Sequence, residues 1–136
     1  REFRGKLPEE VNVGDTLTLE DVFTTGDFVH VVATSKGRGF SGVVRRHNFG
    51  GVGQRTHGQH NRGRAPGSIG QASDPSRVFK GVRMAGQYGN ERVKMRNLQI
   101  ARILQDSRLI LLTGSVPGAN GGYVEIHNVR LSEVTS

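Results

Sequence analysis

The apolar residues of this chain recur mostly at every second position, which is the period of a β-strand. Residues 16–20 alternate cleanly, and residues 28–33 form a short β-rich run between turn residues. Later segments also favour strands, around Val93, Met95 and Ile100–Leu104, at 109–113 and at 123–126. Short strands separated by turn residues, such as Asp106-Ser107, Pro117-Gly118 and Asn120-Gly121, predict a mainly β fold, a small antiparallel barrel or sandwich.

One short helix is predicted beside these strands. Its apolar side would be formed by residues at positions i, i+3, i+4 and i+7, namely Phe40, Val43, Val44 and His47. Arg45 and Arg46 would lie on its other side.

Residues 48–90, which we call the extension, show no sustained periodicity of either kind. They carry too few apolar side chains to offset the entropy of ordering, so we expect a partner to order them. Doubled back on itself, the extension could reach at most about 70 Å, from ~3.3 Å per residue. The pattern predicts a single domain over 1–136, with barrel strands in 1–35 and 97–136 and a binding helix and extended loop in 36–96.

Charge changes this picture, because it is concentrated in the same part of the chain. Between Lys36 and Arg102 there are fourteen lysines and arginines, two acids and thirteen of the twenty glycines. The flanks sum to −4 (1–35) and −1 (103–136), so the net charge of +7 comes from the middle. Cations neutralise phosphates, and glycine lets the backbone approach a partner closely, so the middle of the chain predicts a nucleic-acid partner.

Arginine outnumbers lysine in this stretch, and that preference favours RNA. A guanidinium holds phosphates bidentately and stacks on exposed bases, which an ammonium cannot do. Amides are interleaved among the arginines: Gln54, Gln59, Asn61, Gln71, Gln87 and Asn90. Aromatic stacking is expected to be secondary, since only Phe49, Phe79 and Tyr88 lie in the extension.

Gly37–Gly42 matches G-x-G-x-x-G and raises an alternative of another class, a phosphate-ligand enzyme with a nucleotide cofactor. A dinucleotide fold would need a βαβ unit and an acid about 20 residues further on, whereas the next acid is Asp74. A chance match in a glycine-rich chain is the better interpretation. A basic protein that binds RNA without preference for a particular site is the other alternative.

The sequence offers no positive sign of a catalytic or metal site. His57 and His60 have no carboxylate nearby to orient them, no serine lies in G-x-S-x-G, and the pairs Glu9-Glu10 and Glu20-Asp21 read as solvated surface. We therefore expect no enzyme, no cofactor and no metal. With no cysteine and no run of about 20 apolar residues, a reducing cytoplasm is permitted and no membrane span is expected.

Five motifs in fixed order identify a family resemblance. They are TSKGRGFSGVVRR (34–46), THG (56–58), RAPGSIG (64–70), VFKG (78–81) and MAGQYGNERV (84–93). Together with GSVPG (114–118) they resemble the bacterial large-subunit ribosomal protein L3 (uL3) family, over nearly everything from Thr16 to Ile126.

The resemblance implies a small translation-protein-type β-barrel with a long loop threading into large-subunit rRNA toward the peptidyl transferase centre. Residues 62–75 would form the inner end of that loop. It also implies a role in early subunit assembly, binding near the 3′ region of the rRNA, neighbours such as the ribosomal proteins L14 and L19, and a cytoplasmic location in the ribosome.

The rRNA-binding residues predicted on this basis fall into four groups. The base of the loop would be formed by Lys36, Arg38, Arg45 and Arg46, and the path inward by Arg55, His57, His60, Arg62 and Arg64. The glycine-rich inner end would be formed by Gly67, Ser68, Gly70 and Gln71. The return strand would be formed by Arg77, Lys80, Arg83, Gln87, Asn90, Arg92, Lys94 and Arg96.

Two departures from the family pattern limit what carries over. Roughly the first two fifths of the family's length, including its first barrel strands, have no counterpart here, so we expect only part of the barrel. Because the first residue is Arg1 and not methionine, we expect the chain to begin within a longer protein. Ser73 stands where some relatives carry a methylated glutamine, so no such modification is expected.

Overall fold

The structure, a computed structural model, describes residue 2 and residues 11–53, 55 and 57–129. Sequence-based expectations for Glu9-Glu10, for strands before residue 11, and for Gln54 and Thr56 lie outside the described residues. In chain order the elements are α1 Leu19–Val22, β1 Phe28–Thr34, β2 Phe40–Ser41, α2 Val43–His47, a 3₁₀ turn at His60–Arg62, β3 Gly86–Gln87, β4 Arg92–Leu104, β5 Leu109–Thr113 and β6 Val124–Asn128.

The strands form a four-stranded sheet in the order β5-β4-β1-β6 and a two-stranded sheet of β2 and β3. β4 pairs with β5, and β2 with β3, in antiparallel fashion. The prediction of a mainly β, antiparallel fold is confirmed. Among the described residues the larger sheet is open, with β5 and β6 at its edges, so these residues do not close a barrel.

β1 holds the core because it is a central strand buried on both faces. Five consecutive residues, Val29–Ala33, are buried, which is why this strand reads as a continuous run and not as an alternation. Val29, Val31 and Ile100 form the fully buried cluster. The Ile100 amide donates to the Asp27 carbonyl and the Gly26 amide donates to the Ile100 carbonyl, both at 2.9 Å, and these bonds join the residues just before β1 to β4.

A β-bulge interrupts the pairing of β4 with β5. Ile100 lies opposite Leu112 and Arg102 opposite Leu111, so Ala101 has no partner in the register. The extra residue in β4 bends the strand beside the core.

The strand predicted at 16–20 is wrong, because the chain there turns into the short helix α1. The carboxylate of Asp21 accepts from the backbone N–H and from the hydroxyl of Thr18, both at 2.7 Å. This side-chain return to the N-cap residue favours a helix start over an extended strand. The same two bonds lower the pKa of the Asp21 carboxyl, the backbone bond being the larger cause.

The predicted helix exists, but it is shorter than its apolar pattern suggested. α2 spans Val43–His47, and the left-handed backbone of Asn48 (φ 60°) forms its C-cap. Phe40 was placed on the apolar side of this helix and is instead a β2 residue, 80% exposed. Its pairing with Gln87 is a contact distant in sequence, which helical periodicity cannot detect.

The remaining strand predictions are confirmed: β1, β4, β5 and β6 cover the predicted segments, and a turn spans 105–108. By contacts the chain divides into two compact units. One holds the residues up to Val32, Lys94–Val116 and the residues from Glu125 onward, and the other holds Ala33–Val93 and Pro117–Val124. The single-domain boundaries stay a prediction. In the part of the chain that the structure describes, no helix has the length and apolar character of a membrane span.

Candidate nucleic-acid interface

The predicted rRNA-binding residues are nearly all on the surface. Each of the twenty-one residues is described, and each is exposed except Arg46, which is half-buried. All but Lys94 and Arg96 belong to the second unit.

Strand period places three of these cations together on β4. Arg92, Lys94 and Arg96 are exposed, and they alternate with the half-buried Val93 and Met95. Since successive side chains of a strand point to opposite faces, the three cations share one face. The sequence predicted each of them, and the strand explains why they lie in one row.

Between α2 and β3 the backbone is irregular. The 3₁₀ turn at His60–Arg62 is the one regular element among the described residues of that segment. Two arms of this segment, residues 49–53 and 59–68, approach each other closely at Gly51 and Gly63. The Val52 amide donates to the Gly63 carbonyl at 3.4 Å, and a Cβ on Gly51 (φ 66°) would overlap that same carbonyl oxygen. Glycine is needed at position 51 for its backbone angle and for this contact.

An open cleft of about 720 Å³ lies between these arms. It brings three predicted residues, Arg62, Gly67 and Ser68, to one place. The other lining residues are Phe49, Gly50, Gly51, Val52, Gln59, Ala65 and Pro66. Mostly apolar walls with one guanidinium suit a planar base that also carries a phosphate.

The base of the extension is held by backbone pairing between residues 35–41 and 86–91. The Arg38 amide donates to the Tyr88 carbonyl and the Tyr88 amide donates to the Gly39 carbonyl, both at 2.9 Å. The Ser35 amide donates to the Glu91 carbonyl at 2.9 Å, and the Glu91 amide donates to the Ser35 hydroxyl at 3.2 Å. These bonds join the segment before the extension to the last residues of the extension and to Glu91, which follows it.

Two arginines of the predicted set stack on aromatic rings. The guanidinium carbon of Arg38 lies 5.3 Å from the centre of the Tyr88 ring, and that of Arg77 lies 5.7 Å from the centre of the Phe79 ring. Both are within cation–π range. Aromatic stacking was expected to be secondary, and the spacing of Arg77 and Phe79 at i and i+2 was the signal in the sequence that could have indicated the second contact.

Arg46 has a protein partner that the sequence did not indicate. Its Nη1 donates to the Met84 carbonyl oxygen at 2.9 Å, and the Nε2 atom of His47 lies 3.0 Å from the same oxygen. The acceptor is a backbone atom 38 residues away in the chain, so no side-chain pattern could have revealed it.

The cations of the extension are not neutralised within the described residues. Arg55, Arg62, Arg64, Arg77, Lys80 and Arg83 have no carboxylate partner there, where the one acid of the segment is Asp74. Exposed like charges that repel one another favour binding to a polyanion.

The described residues do not provide the structural context that a nucleotide-cofactor site requires. Gly37–Gly42 contains the two-residue strand β2 and is followed by the five-residue helix α2, and β2 pairs in an antiparallel sheet. A dinucleotide site needs a βαβ unit, which is not found in the described part of the chain. Nor do three histidine or acidic residues cluster there as metal ligands would.

The comparisons with known proteins agree with the motifs. The model of the family described as "Ribosomal protein L3" matches residues 8–129. The chain is 56% identical over 126 residues to "Large ribosomal subunit protein uL3" of Salinibacter ruber, covering 93% of this chain and 60% of that protein. It is 55% identical over 117 residues to the protein of the same name from Chlorobaculum parvum, covering 86% of this chain and 55% of that protein. The chain thus spans less than two thirds of the length of these relatives.

Proposed function

Because the chain belongs to the ribosomal protein L3 family, we propose that it is a structural, non-enzymatic constituent of the large ribosomal subunit that binds large-subunit rRNA. The observation that carries the proposal is the extension, whose cations are exposed and have no carboxylate partner among the described residues. Such a segment gains stability when phosphates replace the missing counter-charges.

The residues divide by role. The exposed arginine side chains that have no partner among the described residues contact phosphates or stack on bases. They are those of Arg45, Arg55, Arg62, Arg64 and Arg83. The cleft beside Arg62 takes an unstacked base. On β4 the row Arg92, Lys94 and Arg96 lies along the RNA backbone.

The family resemblance supports the finer parts of the proposal. In the ribosome the extension reaches toward the peptidyl transferase centre, and binding near the 3′ region of the rRNA aids early subunit assembly. L14 and L19 are neighbours. The open sheet is part of a barrel in the full-length protein, and the site of action is the cytoplasmic ribosome.

Filter binding across a KCl series tests the proposal. The chain is titrated with a large-subunit rRNA 3′-domain transcript and with a scrambled RNA of equal length. The double variant Arg62→Ala/Arg64→Ala is compared with Arg102→Ala/Arg108→Ala, which loses the same charge outside the predicted set. The first variant is expected to lower the slope of log K against log salt by about 1.4–1.8, from ~0.7–0.9 for each phosphate contact.

A preference for the transcript that survives moderate salt supports a ribosomal role. Equal affinity for both RNAs would instead leave a generic basic RNA-binding protein. Equal losses in the two double variants would mean that net charge, and not the extension, determines binding.

A further inference from the structure

Arg46 is the one half-buried member of the predicted set, and its neighbour Arg45 is exposed. The two residues are adjacent in α2 and carry the same charge. Among the described residues, the Arg46 side chain alone of the two has a hydrogen-bond partner, since its Nη1 donates to the Met84 carbonyl oxygen at 2.9 Å. They therefore form a natural pair for separating a contact with RNA from a contact within the protein.

The position of the Arg46–Met84 bond gives it a consequence for the extension. Arg46 lies in the last turn of α2, where the chain leaves for the extension, and Met84 lies just before β3, where the chain returns. The bond closes a loop across 38 residues of sequence. His47 reaches the same carbonyl oxygen at 3.0 Å, so that oxygen is engaged from two successive residues of the helix.

Gly86 allows the guanidinium of Arg46 to lie against the returning backbone. A Cβ at position 86 would be 2.5 Å from Nη1 and 3.2 Å from the guanidinium carbon of Arg46. Gly86 has no left-handed φ angle. Its side-chain-free surface is thus used for contact with Arg46 and not for an unusual backbone conformation.

We propose that Arg46 is a positioning residue: it holds the two ends of the extension together at Met84 and does not itself neutralise an RNA phosphate. The inference rests on the proposed rRNA binding and deepens it. Closing a long loop costs entropy, and fixing its ends before binding leaves less to be lost when the RNA docks. Arg46 therefore raises RNA affinity through the shape of the free protein, whereas Arg45 raises it through charge.

Three single variants of the full chain separate these roles: Arg45→Ala, Arg46→Ala and Gly86→Ala. The last keeps Arg46 and the net charge but pushes the guanidinium away from Met84. Each is titrated with the rRNA transcript across a KCl series, and its amide NMR spectrum is recorded to verify that the β-sheet is intact. Arg45→Ala is expected to lower the salt slope by about 0.7–0.9, the value for one lost phosphate contact.

Arg46→Ala and Gly86→Ala are expected to weaken binding by roughly three- to tenfold with the wild-type salt slope, because a smaller fraction of the protein is ready to dock. If Arg46→Ala lowers the slope as Arg45→Ala does, or if Gly86→Ala binds like wild type, the positioning role is refuted while rRNA binding stands. If wild type shows no preference for the rRNA transcript, the proposed function fails, and the positioning role fails with it.

Discussion

Gly89→Ala is the substitution for which the structure gives the sharpest expectation. Gly89 has a left-handed backbone (φ 71°), and a Cβ there would overlap the carbonyl oxygen of Lys36. That oxygen belongs to backbone and cannot swing aside as a side chain would. The segments at the base of the extension would have to separate.

The expected cost follows from two contributions. A left-handed backbone costs an alanine roughly 1–2 kcal/mol. Separating the segments breaks the two bonds that link Arg38 with Tyr88 and Tyr88 with Gly39, each worth about 1 kcal/mol. The base of the extension should thus lose about 3 kcal/mol of local stability, a factor of roughly a hundred in its opening equilibrium.

Gly81→Ala is the matched control. Gly81 also has a left-handed backbone (φ 83°), but nothing lies within 4 Å of a Cβ built there. It incurs the same conformational cost and no overlap. Hydrogen exchange of the Arg38 and Tyr88 amides, measured by NMR, reports the local opening directly.

In Gly89→Ala these two amides should exchange roughly a hundredfold faster than in wild type, and in Gly81→Ala they should stay within about threefold. Equal exchange rates in the two variants would show that the overlap with Lys36 is relieved without breaking the pairing. The account of the base of the extension would then be wrong.

Three further substitutions test the first unit. Ile100→Ala removes a side chain that is 1% exposed and should lower the free energy of unfolding by about 3 kcal/mol. Leu109→Ala, at a side chain that is 51% exposed, should lower it by less than about 1 kcal/mol. Urea unfolding followed by far-UV circular dichroism measures both values, since the chain has no tryptophan for fluorescence. Thr18 lowers the pKa of the Asp21 carboxyl below 3.8, so the stability from this ionised group is present above that pH and is lost as pH falls through the lowered value. The difference in Tm between wild type and Asp21→Asn should therefore be largest near neutral pH and shrink below pH ~3.8; a difference that does not depend on pH would contradict the assignment.

The sequence by itself determined the four longer strands and the chemical nature of the candidate interface. A strand such as β5 is visible because its period and its turn residues are local properties of the chain. Exposed arginines such as Arg62 could be named because an irregular, glycine-rich segment with few acids has no interior in which to bury them. The family, too, was evident from ordered motifs that need no coordinates.

Tertiary structure decided which groups act on which. Residues 16–20 do not form the strand that their alternation predicts, because the Asp21 carboxylate accepts hydrogen bonds from Thr18. Phe40 is a strand residue because it pairs with Gln87. The sequence alone gives no basis for assigning different roles to Arg45 and Arg46. They differ because a carbonyl oxygen 38 residues from Arg46 lies within reach of its guanidinium, and backbone contacts between distant segments follow from the packing of the chain and not from any local pattern of side chains.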